Sequence, residues 1–246
     1  MWVQVVSLRS TGARFVYLLT LLVLSLGFFL PRHQPPPVAA LPTGAVYRVD
    51  THQRAIALTI NVVWGTEFLP QLLGDLQQNH AHATFMVGGA WAKAHPALVK
   101  DITAAGMEIG NHGWNHPHPN QLSYAENLHQ IQDTNTVVRG ITGATPKVFA
   151  PPYGEFNQTV LRASTALQMP LVMWTIDTID WSPSSSVPYM VAKVRRLAKP
   201  GAIILMHPTA RTVIALPMIV QTLTQAGYRL VTVSQLLTMG TPQPDG

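Results

Sequence analysis

The sequence contains no cysteine and few charged residues. Cysteine is absent from all 246 positions, and Asp, Glu, Lys and Arg together make up 11% of the chain. The lack of cysteine excludes disulfides, iron–sulfur clusters, thiolate zinc sites and a cysteine nucleophile, so any metal must be held by histidine and carboxylate. Hydrophobic residues reach 47%, which excludes a disordered chain and predicts a folded domain with a sizeable core.

Positive charge is in modest excess along the sequence. Sixteen Lys and Arg stand against 11 Asp and Glu, for a formal net charge of +5. Two of the arginines lie within the first 14 residues, and the others are scattered rather than gathered into a basic stripe. Because nucleic-acid binders usually show such a stripe, we expect no nucleic-acid partner.

One long apolar run lies close to the N-terminus. Residues 15–30 carry no charge and follow the basic segment 1–14, which contains Arg9 and Arg14. At about 1.5 Å per residue the run spans about 24 Å, slightly less than the ~30 Å hydrocarbon core of a bilayer. A signal peptide and a short transmembrane anchor are both compatible with this length.

The nearest cleavage-like sequence favours the anchor. Val38, Ala39 and Ala40 lie about ten residues beyond the apolar run, across a proline-rich stretch, whereas a signal peptidase site normally lies closer. We therefore expect a single-pass protein of the cell membrane with its domain outside the cytoplasm, and secretion is the alternative. Residues 31–45 are then a stiff, extended spacer.

From residue 46 to residue 240, strand-like and helix-like patterns alternate. Apolar runs such as 55–63 and 202–206 alternate with helical patterns such as 68–78 and 217–225. Such alternation is typical of a parallel sheet that closes, or nearly closes, into a β/α barrel. Functional groups of such barrels lie at the C-terminal ends of the strands.

Four of the predicted strands are followed by residues that can do chemistry. His112 and His116 are spaced i, i+4, which on one helical turn would point both imidazoles at one divalent ion. The other three sets are residues 151–154, residues 177–181 and His207. Each has a simpler interpretation as a tight turn, a capping carboxylate or a buried histidine. Their regular occurrence after successive strands favours a functional cluster.

These ordered motifs resemble those of the polysaccharide deacetylases with a NodB-homology domain, also called carbohydrate esterase family 4. The resemblance implies a distorted β/α barrel that removes acetyl groups from peptidoglycan or chitin-like glycans with a divalent metal, usually zinc. The Trp-Gly pair in the first motif and the predicted anchor are most similar to the branch associated with endospore formation. The motifs, within residues 50–238, are LTINVVWG (58–65), ATF (83–85), EIGNHGWNH (108–116), FAPPYG (149–154), WTIDTIDW (174–181) and ILMHP (204–208).

The resemblance assigns roles to six retained residues. His112 and His116 match the two metal-binding histidines, and His207 matches the acid that protonates the leaving amine. Asp177 matches a supporting carboxylate. Tyr153 in the third motif and Trp181 in the fourth match positions that bind substrate.

Three side chains depart from the family pattern. Asn61 replaces the catalytic base, and an amide has no useful proton affinity near neutral pH. Val62 replaces the aspartate that binds the metal, and Ala150 replaces the arginine expected to pair with Asp177. We therefore expect a divalent metal, zinc in this family, to be bound weakly or not at all.

Two functional hypotheses follow from this mixture. In the first, the chain is an anchored deacetylase of cell-wall glycan that works with reduced activity, and Glu67 is the carboxylate nearest in sequence to the altered first motif. In the second, it is an inactive glycan-binding pseudoenzyme, because general-base catalysis alone contributes about 100-fold to 10,000-fold. A carboxylate close to His112 and His116 would distinguish the two.

The predicted anchor gives a direct test. We expect protein extracted from membranes to retain residues 15–30, because the cleavage-like sequence lies too far from the apolar run. Intact-mass measurement of the extracted protein determines the mature N-terminus. A mature chain that begins at Leu41 would show instead that the segment is a cleaved signal.

Overall fold

A sheet of parallel strands forms the centre of the structure, a computed structural model that describes residues 42–244. The strands lie in the order β4-β3-β2-β6-β5, and β7 pairs with the beginning of β2. This confirms the predicted parallel α/β architecture. The strands are β2 (Ala55–Val62), β3 (Thr84–Val87), β4 (Glu108–Asn111), β5 (Ile176–Asp177), β6 (Ile203–Met206) and β7 (Arg229–Val231).

Isolated bridges close the sheet between β4 and β5. Phe149 bridges Asn111 on one side and Leu171 on the other, both in parallel orientation. The sequence predicts full strands at 148–150 and 171–176, but the structure forms single bridges over most of these residues and a regular strand only at Ile176–Asp177. The barrel is therefore distorted on this side.

A small antiparallel sheet joins the two ends of the domain. β1 (Arg48–Asp50) pairs with β8 (Thr241–Gln243), with Val49 opposite Pro242. The sequence-based domain limit at 240 therefore falls short, because a strand of three residues that includes a proline has no apolar alternation to reveal it.

Eight α-helices flank the strands within residues 42–244. The helix α2 is absent from the sequence prediction, and α7 begins seven residues before the predicted start at Pro217, which lies inside it. Thr209 caps α7 by accepting a hydrogen bond from the backbone N–H of Thr212. The helices are α1 (Leu69–Gln78), α2 (Gly89–Ala94), α3 (Pro96–Ala104), α4 (Tyr124–Thr142), α5 (Gln158–Ala166), α6 (Val187–Leu197), α7 (Ala210–Gln225) and α8 (Val233–Leu237).

The two faces of β2 build two different parts of the core. Ile56, Leu58, Ile60 and Val62 pack outward into the cluster that includes the helices, whereas Ala57 belongs to the cluster inside the barrel. Successive side chains of a strand point to opposite faces. Residue 61 therefore faces inward at the C-terminal end of β2, where it can contribute to a site.

No helix within residues 42–244 has the length and apolar character needed to cross a bilayer. The predicted anchor at 15–30 and most of the predicted spacer lie outside the residues that the structure describes.

Gly201 fixes β1 against the beginning of β6. Its φ of +78° lies in the left-handed region, and a Cβ atom there would come within 1.7 Å of the carbonyl oxygen of Val49. We expect Gly201→Ala to lower the free energy of unfolding by more than about 2 kcal/mol, because both the backbone strain and the clash oppose it.

Gly140 provides the matched control. It lies in α4, and nothing comes within 4 Å of a Cβ atom at this position. Gly140→Ala should raise the free energy of unfolding by about 0.5–1 kcal/mol. Chemical denaturation of both variants measures the difference, and equal effects would contradict the assigned packing at Gly201.

Candidate active site

A cavity of about 500 Å³ opens at the C-terminal ends of the strands. The structure brings all seven residues with a predicted site role to this end of the barrel. The lining residues are Asn61, Trp64, His112, His116, Tyr153, Gly154, Trp174, Asp177, Trp181, Leu205 and His207.

His112 lines the cavity, is almost fully buried and is held in one orientation. It directly follows β4, is 1% exposed, and its Nδ1 lies 2.7 Å from the carbonyl oxygen of Ala150. Since a carbonyl can only accept, Nδ1 carries the proton and Nε2 keeps a free lone pair. Burial, reinforced by the neighbouring His116 imidazole, lowers the pKa of His112 to about 3. His112 is therefore a neutral imidazole at physiological pH.

His116 meets His112 through a turn rather than a helix. The ring centroids are 5.0 Å apart, but the backbone of His116 has a φ of +57° and β4 ends at Asn111. The helical geometry expected from the i, i+4 spacing is thus wrong. Asn111 stabilises the turn, because its side-chain oxygen accepts a hydrogen bond from the N–H of Gly113 at 2.8 Å. Burial and then the charge of His207 lower the pKa of His116.

Asp180 holds His207 in place. One carboxylate oxygen lies 2.8 Å from Nδ1 of His207, and the other accepts hydrogen bonds from the backbone N–H of His207 and the hydroxyl of Thr212 at 2.6 Å. The Asp180 side chain has no solvent exposure. With Nδ1 bound to this carboxylate, Nε2 is the nitrogen left for a ligand in the cavity.

Asp177, which the resemblance makes a supporting carboxylate, has Ala150 in place of its expected arginine partner, and the carboxylate that contacts His207 is Asp180. Asp177 lines the cavity, but its carboxylate accepts a hydrogen bond at 2.7 Å from the N–H of Ile179 and so stabilises its own turn. Both aspartates occur in one four-residue motif, so the sequence could not distinguish the residue that points at the histidine from the residue that caps the turn.

The three departures from the family pattern occupy different environments. Asn61 faces the cavity, and its side-chain oxygen is buried without a hydrogen-bond partner in the protein. Val62 is fully buried in the outer cluster, and Ala150 is 4% exposed in the inner cluster. A neutral acceptor and two apolar side chains thus stand at these positions.

The residues present do not make a three-ligand metal site. Within residues 42–244, no group of three or more His, Asp or Glu side chains is arranged to hold a metal ion. Glu67 is exposed and does not line the cavity. His112, His116 and the orphaned oxygen of Asn61 offer two neutral nitrogens and one weak amide oxygen, which do not fit the carboxylate-containing set that a tightly held divalent ion requires.

Trp64 stacks on His207, a contact that the sequence did not indicate. Its indole lies nearly parallel to the His207 ring, with centroids 5.9 Å apart and planes 7° apart. Gly65 follows with a φ of +71°, and a Cβ there would lie 2.0 Å from the carbonyl oxygen of Pro208. The loop after β2 is therefore pressed against the loop after β6, and this contact positions Trp64.

Tyr153 and Trp181, predicted to bind substrate, both line the cavity with exposed rings. Their exposed fractions are 54% and 57%. The Tyr153 ring is stacked on His118 at 4.2 Å, and His118 in turn lies 3.1 Å from the carboxylate of Glu155. His118 and Glu155 are a further pair that the sequence did not single out, because each lies in an irregular loop.

The comparisons with known proteins agree with this geometry. Residues 48–172 match the family model described as polysaccharide deacetylase. The uncharacterized protein YlxY of Bacillus subtilis is 38% identical over 78% of this chain, and the peptidoglycan-N-acetylmuramic acid deacetylase PdaC of the same organism is 35% identical over 84%. The chain spans 60% of YlxY and 42% of PdaC, so less than two thirds of either relative.

Solved structures show the same fold. Wild-type BA3943 from Bacillus anthracis, described as a CE4 family pseudoenzyme, has a TM-score of 0.78 and 37% identity, covering 82% of this chain and 71% of that one. A BA3943 mutant described as having restored enzymatic activity has the same TM-score, with 35% identity over 82% of this chain and 74% of that one.

The low pKa of His112 makes stability depend on pH. The unfolded chain takes up a proton on this histidine below its ordinary value of 6.5, whereas the folded protein resists protonation down to about pH 3. The contribution is therefore fully present above pH 6.5 and is lost as the pH falls. We expect His112 to account for a loss of about 2 kcal/mol in unfolding free energy between pH 7 and pH 5.

Denaturant unfolding at the two pH values measures this loss. His112→Gln should show a smaller loss than the wild type, whatever its stability at pH 7. His52→Gln, at an exposed loop position, is the control and should lose as much as the wild type. An unchanged pH dependence in His112→Gln would contradict the burial of a neutral imidazole.

Proposed function

The chain belongs to the polysaccharide deacetylase family, and we propose that it is a member that binds acetylated cell-wall glycan with little or no turnover. One observation carries this proposal: a cavity of the family type keeps its two histidines but has Asn61 in place of the base, and no carboxylate joins those histidines within residues 42–244. An asparagine cannot take a proton from an attacking water.

The relatives support the substrate class. PdaC acts on peptidoglycan N-acetylmuramic acid according to its name, and BA3943 shows that members of the family exist as pseudoenzymes. An acetylated glycan of the peptidoglycan or chitin-like type is accordingly the ligand that we propose for this chain. The Trp64-Gly65 pair and the sequence-predicted anchor support membership of the branch associated with endospore formation and a place on the outer face of the cell membrane.

The walls of the cavity suit a sugar polymer. Trp64, Tyr153 and Trp181 present exposed aromatic rings around it, and aromatic faces pack well against the apolar faces of pyranose rings. The imidazole of His207 supplies a polar group in the same cavity lining. Binding therefore requires none of the groups that have been lost.

A second candidate, a deacetylase with reduced activity, is favoured by the intact pair of Asp180 and His207. Asp180 fixes the orientation of His207, so that its free nitrogen can donate a proton to the leaving amine of an acetylated sugar. The group that would protonate the leaving amine is thus present, whereas the base and the metal ligand that would activate the attacking water are not. Slow hydrolysis is the most that this arrangement supports.

Replacing the lost groups should raise the activity. We expect the wild-type domain to release acetate from acetylated chitin oligomers or peptidoglycan at close to background rate, and the combined variant Asn61→Asp, Val62→Asp and Ala150→Arg to release it faster. Base and metal act on one water as a unit, so Asn61→Asp or Val62→Asp alone should do little. The BA3943 mutant with restored activity shows that such a gain is attainable in a relative.

Zinc uptake after dialysis gives a second measurement for the same variants. Asn61→Asp should increase the retained zinc because position 61 lines the cavity with His112 and His116, whereas Val62→Asp should lower the stability because position 62 is buried among apolar side chains. High activity of the wild type that disappears in His207→Ala and His112→Ala would refute the binding proposal.

Glycan binding itself is tested with an N-acetylglucosamine oligomer. We expect Trp181→Ala to weaken binding by about tenfold, because one exposed stacking surface is lost at the cavity. Tyr189→Ala, which removes an exposed aromatic ring from α6 away from the cavity lining, is the control and should bind as the wild type does. Calorimetric titration gives both dissociation constants, and equal affinities would exclude Trp181 from the binding surface.

A further inference from the structure

Basic side chains gather at the end of the barrel opposite the cavity. We propose that this surface, called here the basic end, docks on an anionic phospholipid bilayer and so directs the cavity away from the membrane. Each of its residues lies in β1, directly before β2, at the start of β7, or between the last turn of a helix and the strand that follows it. They are Arg48, Arg54, Arg195, Arg196, Lys199 and Arg229.

Direct contacts make one half of the basic end continuous. The backbone N–H of Arg229 donates to the carbonyl of Arg54 at 2.8 Å, and the guanidinium of Arg54 lies 4.7 Å from the centre of the Tyr228 ring. The Tyr228 hydroxyl donates to the carbonyl of Ala198 at 3.3 Å, which is the residue next to Lys199. Three basic residues from distant parts of the sequence are thus neighbours.

The other half is joined through the beginning of β6. Arg195 and Arg196 lie in the last turn of α6, a few residues before Lys199. Arg48 bridges Ala202 in antiparallel orientation, just beyond the turn that follows Lys199. All six residues therefore surround the N-terminal ends of β2, β6 and β7.

The charges of this surface are available to a partner. Arg54, Arg195, Arg196, Lys199 and Arg229 are exposed. The ion pairs found within residues 42–244 both involve histidine, so none of these five is paired with a carboxylate. Residues 181–244 contain no Asp or Glu at all. Four acids lie at the same end, and the six basic residues leave a positive excess over them: Asp50, Asp75, Asp101 and Glu108.

The basic end and the cavity lie at opposite ends of β2. Arg54 precedes this strand and Asn61 is close to its last residue. Seven residues of extended chain span about 23 Å. A bilayer that contacts the basic end therefore cannot cover the cavity.

The sequence around the domain favours a lipid surface over other polyanions. The predicted anchor at 15–30 would place a bilayer at the end of a spacer of about 15 residues, which reaches at most about 46 Å when extended. Tethering at that distance gives the bilayer a high effective concentration at the domain. Each basic residue at an anionic surface strengthens docking about fivefold, so a cluster of this size suffices to hold the domain.

The absence of cysteine makes a clean experiment possible on the full chain. A fluorophore is attached to His52→Cys, beside the basic end, or to Asn120→Cys, in the loops of the cavity end, and the protein is reconstituted into vesicles that carry a headgroup quencher. In vesicles with phosphatidylglycerol we expect strong quenching of the label at position 52 and weak quenching at position 120. In vesicles of phosphatidylcholine alone, or at high salt, the quenching at 52 should decrease.

Charge removal then tests the surface itself. The variant Arg195→Gln, Arg196→Gln and Lys199→Gln should lower the ratio of docked to undocked protein about 100-fold. The matched pair Lys93→Gln and Arg162→Gln removes charge from exposed positions on α2 and α5, where Arg162 packs on Tyr124 at the start of α4, and should leave docking unchanged. The pair Arg195→Gln and Arg196→Gln removes the same charge from the basic end and should lower the ratio of docked to undocked protein about 25-fold.

Three results would overturn the proposal: equal quenching at both labels, no difference between the two lipid compositions, or equal effects of the two matched double variants. Soluble poly(glycerol phosphate) that binds the basic end while vesicles do not would also overturn it, since the partner would then be an anionic wall polymer. These outcomes are independent of whether the cavity binds glycan.

Discussion

The burial of β2 on both faces is the constraint on which the rest of the structure depends. All eight of its residues are buried, and it pairs with β3, β6 and β7 at once. Its outward side chains hold the helices, and its inward side chains fill the barrel. The strand therefore cannot slip by one residue, because such a slip would exchange the two faces. This register decides that position 61 faces the cavity and position 62 the helices.

The order of elements and the end of the barrel that carries the site could be predicted from the sequence, because apolar periodicity and motif order are local properties. The pairing of His112 with His116 could also be predicted from their spacing, although a turn with His116 in the left-handed region, not a helix, brings them together.

Other features could not be predicted. Asp180 could not be distinguished from Asp177, since the choice depends on how one turn is hydrogen-bonded. β8 and the stack of Trp64 on His207 depend on contacts between distant segments, which leave no periodic signal.

The basic residues illustrate the same limit. In the sequence they are scattered, and no run of them suggests a surface. Parallel β/α topology returns the chain to the same end of the barrel before every strand, so residues separated by more than a hundred positions become neighbours there. The concentration of basic residues at one end of the barrel therefore results from the chain topology. The backbone hydrogen bond between Arg229 and Arg54 is an example of a contact that the sequence does not reveal.

The contact between Gly65 and Pro208 couples the conformations of the loop after β2 and the loop after β6. Since no side chain fits at position 65 without displacing the Pro208 carbonyl, the loop that carries Trp64 and the loop that carries His207 cannot change shape independently. A mutation that lengthens either loop is tolerated only with a compensating change in the other. Point substitutions of side chains at the strand ends leave this backbone contact in place, so they can alter the chemistry of the cavity without altering the arrangement of these two loops.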